Sequence, residues 1–224
     1  MNEKLAIEKE IIHQGILPLF YHNDAATCIF ITKALYAAGI RSIEFTNRGT
    51  QALQNFSLLI HEKNSTMPDL LVGIGTIKNE EEANTFMNAG ADFLVSPFFE
   101  GTVCKAALLK KKLWIPGCIT PTEINIAAQA GCTLIKIFPG SAVGFSFVSN
   151  VKPLFPSLQF IVTGGVDTSE KSIAEWFNAG VDAIGIGSKL ITSEIVENNR
   201  FAELTNCTKN IISLVQFYKK NYSR

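Results

Sequence analysis

Short apolar runs recur along the chain, each closed by glycine, proline or a small polar residue and followed by a segment of helical pattern. The runs fall at residues 16–20, 42–46, 70–75, 93–97, 113–117, 134–139, 159–164 and 183–187. Their length, β-branched content and punctuation predict buried strands. Helix-length segments lie between them, among others at 25–38, 80–89, 121–130 and 169–179. All four end in the same pair, Ala38-Gly39, Ala89-Gly90, Ala130-Gly131 and Ala179-Gly180. Glycine just past a helix end supplies the left-handed cap without a Cβ clash. Thr120-Pro121-Thr122-Glu123 opens one helix with a capping box and proline at its first position. Eight βα units in a row, with no linker or low-complexity tract, predict a single-domain (β/α)8 TIM barrel over residues 1–224. Residues before Gly15 are expected to add an N-terminal helix across the barrel floor, and those after Asn198 a terminal helix. A doubly wound sheet is the alternative, but no GxGxxG follows the first strand.

Composition narrows the partners. With 47% hydrophobic and 18% charged residues the chain is globular, and its formal net charge is zero. The one basic cluster, Lys110 to Lys112, reads as a solvated helix end. Nucleic acid and anionic membrane are therefore not expected partners. Five widely spaced cysteines without a CxxC pair, and three histidines without ligand spacing, point to reduced thiols and no metal. No signal segment is visible at residues 1–5 and no apolar stretch approaches membrane length, so a cytoplasmic location is expected.

In a barrel the chemistry lies at the C-terminal ends of the strands. Lys136 stands in the apolar run Leu134-Ile135-Lys136-Ile137-Phe138-Pro139. An ammonium is costly to bury unless it is paired or neutralised, and neutral lysine is the nucleophile of Schiff-base chemistry. A lysine on a solvent-facing edge strand would be the plainer explanation. Glu44 sits equally alone in Ile43-Glu44-Phe45. Both charges in the lumen, facing each other or a shared substrate, is the economical arrangement; a purely structural ion pair is the other. Gly73-Ile74-Gly75-Thr76 would leave space for a ligand and offer a hydroxyl, although alternating glycine also fits simple packing. Thr163-Gly164-Gly165 and Gly185-Ile186-Gly187-Ser188 end the last two strands, where barrels bind phosphate on bare backbone. A helix starting near Ser188 would add its positive end, and Lys189 would strengthen the site. Two glycine turns without a ligand remain the alternative.

Taken in order, Glu44-Phe45-Thr46-Asn47-Arg48, Gly73-Ile74-Gly75-Thr76, Ser96-Pro97, Pro116-Gly117-Cys118, Lys136-Ile137-Phe138-Pro139, Thr163-Gly164-Gly165 and Gly187-Ser188 resemble the 2-keto-3-deoxy-6-phosphogluconate (KDPG) aldolases. That family includes enzymes cleaving 4-hydroxy-2-oxoglutarate to pyruvate and glyoxylate. The resemblance runs from Gly15 to about Ile191. It implies a class I aldolase in which Lys136 forms a Schiff base and Glu44 moves protons. Arg48, Thr76, Phe138 and Pro97 would surround the pyruvate end. Thr163, Gly164, Gly165, Gly187 and Ser188 would take the phosphate. The substrate would be a small keto-acid phosphate giving pyruvate and glyceraldehyde 3-phosphate, with neither metal nor cofactor, in a homotrimer. Val162 stands where the family often has proline, and Phe98-Phe99 where many members carry a small residue. Both put substrate preference in question.

Two other functions compete. Other phosphate-binding barrels, such as sugar-phosphate synthases or epimerases, lean on metal ligands or paired carboxylates, yet Glu44 and Lys136 have no Asp or His partner at other strand ends. A noncatalytic ligand-binding barrel would be marked by loss of the lysine or the glutamate, and both are present.

Overall fold

The computed structural model describes residues 3–222. Its strands are β1 (Ile16–Phe20), β2 (Ser42–Thr46), β3 (Leu71–Gly75), β4 (Phe93–Val95), β5 (Leu113–Ile115), β6 (Gly117–Cys118), β7 (Leu134–Ile137), β8 (Gln159–Thr163) and β9 (Ala183–Ile186). They pair in parallel in the order β5-β4-β3-β2-β1-β9-β8-β7-β6. The strand expected over 113–117 is interrupted. Pro116 lacks the N–H that a ladder needs, so β5 pairs with β4 and β6 with β7. The two pieces are one barrel position, and the α/β barrel closes through them. The Pro116 carbonyl still accepts the Lys136 N–H at 2.9 Å.

The helices are α1 (Glu3–Gln14), α2 (Ala25–Ala37), α3 (Ala52–Thr66), α4 (Glu80–Asn88), α5 (Gly101–Leu109), α6 (Pro121–Gln129), α7 (Gly140–Val151), α8 (Glu170–Ala179), α9 (Ser193–Glu197) and α10 (Phe201–Tyr222). Gly39, Gly90, Gly131 and Gly180 all take positive φ, between 84° and 108°, at the expected helix ends. The capping box forms, with Thr120 and Glu123 satisfying each other's backbone N–H groups. Asp24 caps α2; the Thr27 amide and hydroxyl hold its carboxyl below the ordinary carboxylate range. The helix expected near Ser188 begins only at Ser193. Leu190 and Ile191 are drawn into the core first, and the Leu190 N–H closes a turn on the Gly187 carbonyl at 2.9 Å.

Period-two alternation sorts each strand into two cores. Outward residues such as Ile43, Phe45, Val72 and Ile135 pack against the helices. Inward residues, including Leu17, Phe93, Ile115, Leu134 and Ile161, fill the lumen, and Ile7 and Ile11 of α1 close it from below. Most polar groups at this floor are matched, although the buried Ser42 hydroxyl has no hydrogen-bond partner among the described residues. Gln14, buried at the end of α1, accepts the N–H groups of Arg41 (2.5 Å) and Ser42 (3.0 Å) and donates to the carbonyls of Ser42 and Ile16. Asp92 accepts the Val72 N–H at 2.7 Å and lies 3.1 Å from Lys63 Nζ. Asp182 repeats that device, with the Phe160 N–H and Lys152 Nζ both at 2.7 Å.

Candidate active site

Ser42, Glu44 and Thr46 alternate along β2 and share its inward face, as Leu134, Lys136 and Phe138 share that of β7. This brings Lys136 Nζ to 3.6 Å from Glu44 Oε1, with side chains 6% and 1% exposed. The separation exceeds a normal hydrogen bond. Glu44 Oε2 is buried with no hydrogen-bond partner among the described residues. Each group thus keeps capacity for a third party. The Phe138 ring centroid lies 5.0 Å from Nζ, walling the lysine from above with an aromatic face.

The glycines of β3 serve this arrangement differently from the expectation. A Cβ at Gly73 would fall inside the Phe93 ring, and one at Gly75 would fall on the Glu44 carboxylate. The missing side chains therefore house Phe93 and Glu44, leaving no ligand space at Gly73. Sequence spacing shows that bulk is absent, but not which neighbour from another strand fills the place. Thr76, which follows, holds φ at 62°, a region that β-branched residues rarely adopt.

Above the pair, a cavity of about 450 Å³ opens at the strand ends. Its wall includes Thr46, Arg48, Phe138, Thr163, Gly164, Gly165, Gly187 and Ser188, gathering the residues of four strand ends. Lys136 and Glu44 lie just beneath, with Phe138 and Thr46, two residues further along the same strands, on the wall itself. Thr76 and Pro97 are partly exposed and stand off this wall. Gly165 takes φ of 79°, and a Cβ there would stand 2.5 Å from Ser141 Cβ, so only glycine fits. The Thr163 hydroxyl occupies the place of a Gly185 side chain.

The two departures from the family pattern lie outside the cavity. Val162 is buried facing the helix layer, against Gly140. Phe98 is exposed, and Phe99 packs on Trp114 with centroids 5.4 Å apart. Cys118 is silent: burial pushes its thiol up to about 12. Among the described residues, no group of three or more His, Cys, Asp or Glu side chains is placed to hold a metal ion. No described helix is long and apolar enough to cross a membrane.

Sequence reasoning missed Tyr21 and His22, at the end of β1, and Ser193 and Glu197 on α9, all of them on the cavity wall. The barrel rule that drew attention to the other strand ends applies equally to β1 and could have found the first two. The α9 pair was hidden because the helix begins later than its sequence suggests.

A parallel barrel with a lysine and a carboxylate buried face to face under an open mouth belongs to the class I aldolases. The family is narrower still: the KDPG and KHG aldolase model matches residues 7–207, and the chain belongs to that family. The 2-dehydro-3-deoxy-phosphogluconate aldolase of Dickeya dadantii is 27% identical over 95% of this chain and 97% of its own. The 2-dehydro-3-deoxy-6-phosphogalactonate aldolase of Escherichia coli is 29% identical over 70% of this chain and 75% of its own. Among solved structures, the KDPG aldolase of Legionella pneumophila superposes with a TM-score of 0.81 at 25% identity, covering 88% of this chain and 93% of the other. That crystal holds pyruvate as a covalent carbinolamine.

Proposed function

We propose that the chain acts as one class I aldolase domain that cleaves 2-dehydro-3-deoxy-6-phosphogluconate to pyruvate and glyceraldehyde 3-phosphate, with 4-hydroxy-2-oxoglutarate as a second substrate. The observation that carries this is the buried, loosely spaced Lys136–Glu44 pair below the cavity. Lys136 Nζ adds to the C2 ketone to give a carbinolamine. Glu44 then delivers the proton with which the C2 hydroxyl leaves as water, forming the iminium. Glu44, now a carboxylate, takes the C4 hydroxyl proton while the C3–C4 bond breaks. The electron pair flows into the iminium, the aldehyde departs, and an enamine remains. Protonation at C3 and hydrolysis of the iminium return pyruvate and free lysine.

The other roles follow from position. Arg48, at the cavity wall, holds the pyruvate carboxylate with its forked donors. Thr76 and Pro97 frame the pyruvate end from the β3 and β4 loops. Held at positive φ, Thr76 carries backbone strain of order 1–3 kcal/mol, as residues fixed for a task often do. Thr163, Gly164, Gly165, Gly187 and Ser188 receive the phosphate on hydroxyls and bare backbone. The homotrimer, the cytoplasmic location and a place in sugar-acid catabolism belong to the same proposal, supported by the family. Borohydride reduction with pyruvate, read by peptide mass spectrometry, tests it. A pyruvate adduct on Lys136 is expected. A folded protein with no adduct on any lysine would overturn the reading.

A further inference from the structure

The end of the cavity away from Lys136 carries a charge that a phosphate site does not need. Glu197, exposed on α9, lines the same wall as Gly165, Ser188 and Lys189. It makes no ion pair or hydrogen bond to another described side chain, whereas Glu194, one turn earlier, is neutralised by Arg200 at 3.0 Å. Lys189, a cation on the same wall, is shared. Asp167 is held below the ordinary carboxylate range by the Ser169 amide and hydroxyl, and further by the charge of Lys189. Other polar groups complete this end. The Asp24 N–H donates to His22 Nδ1 at 3.0 Å, which leaves Nε2 to carry a proton, and Ser193 adds a hydroxyl one turn before Glu197. A dianionic tail therefore meets a free carboxylate, while a hydroxylated or uncharged tail meets donors and an acceptor.

We propose that Glu197 is a specificity-determining residue, which lowers the preference of this site for phosphorylated over unphosphorylated keto-acid substrates. The inference rests on the aldolase reading and deepens it. Two like charges across a water-filled cavity repel through a high effective dielectric, so the effect is a tuning rather than an exclusion. It must also weaken as salt rises.

The variant to make is Glu197→Gln, which keeps the size of an exposed side chain and removes its charge. The ratio of kcat/KM for 2-dehydro-3-deoxy-6-phosphogluconate to that for its unphosphorylated counterpart should rise by about three- to tenfold at low salt. Inorganic phosphate, followed by calorimetry, should bind more tightly by a similar factor, and both gains should shrink at about 0.5 M salt. An unchanged ratio together with unchanged phosphate affinity would overturn the inference. So would equal changes for both substrates, which is what a merely structural role would give. Borohydride trapping on the unsubstituted protein separates the two levels. A missing Lys136 adduct breaks the aldolase reading, whereas an adduct with an unmoved ratio breaks only the role of Glu197.

Discussion

The two ends of the barrel are built from the same strands and solve opposite problems. At the floor, most buried polar groups are matched: Gln14 makes four hydrogen bonds, and Asp92 and Asp182 each join a lysine to a strand N–H, with the Ser42 hydroxyl as the exception. At the mouth, Glu44 and Lys136 stand 3.6 Å apart, Glu44 Oε2 has no partner among the described residues, and Arg48 is exposed on the cavity wall. A satisfied group contributes about 1 kcal/mol net to stability, while an unsatisfied buried one costs about 1–3 kcal/mol. The floor thus favours stability, and the mouth keeps the bonding capacity that the proposed chemistry needs. Any substitution should move one property far more than the other, depending on its height in the barrel.

The largest effect should come from the lysine. Lys136→Met is expected to lower kcat by at least about a thousandfold, since it removes the amine proposed to form the Schiff base. With Glu44→Gln added to remove the stranded carboxylate, the thermal midpoint should stay within a few degrees of the starting protein or rise. A double variant that unfolds would break the contrast, because the mouth pair would then be structural. Next, Gly75→Ala places a methyl group on the Glu44 carboxylate and should cost about a hundredfold in kcat. Wild-type turnover in that variant would show that the Glu44 position is not critical. The smallest effect on catalysis belongs to the floor. Gln14→Ala should destabilise by about 2–4 kcal/mol in chemical denaturation and leave kcat/KM within about threefold. A large loss of kcat/KM with little loss of stability would erase the division of labour.

Much of this was legible because it depends on local rules. Alternation with period two puts Glu44 and Lys136 on inward faces, and a charge in an apolar strand announces itself wherever the chain folds. The Ala-Gly helix ends are equally local. What escaped notice depends on neighbours distant in sequence. The space beside Gly73 belongs to Phe93 of the adjacent strand, and that beside Gly75 to Glu44. The start of α9 is delayed because Leu190 and Ile191 find the core first. Glu197 joins the cavity only through that delay, so its part in the site was invisible until the turn at residues 188–190 was seen.

The interruption at Pro116 gives the barrel a mechanical character that an unbroken ring would lack. Ladder bonds tie β5 to β4 as far as the Ser96 N–H on the Ile115 carbonyl, and β6 to β7 beyond it. Among the described residues, no backbone hydrogen bond spans from Pro97 to Gly117. The mouth is in effect a split washer whose slit lies one strand away from the lysine. Spreading it there breaks no rung of the sheet: the seam is held by packing alone, with the Pro97 backbone seated against Gly117.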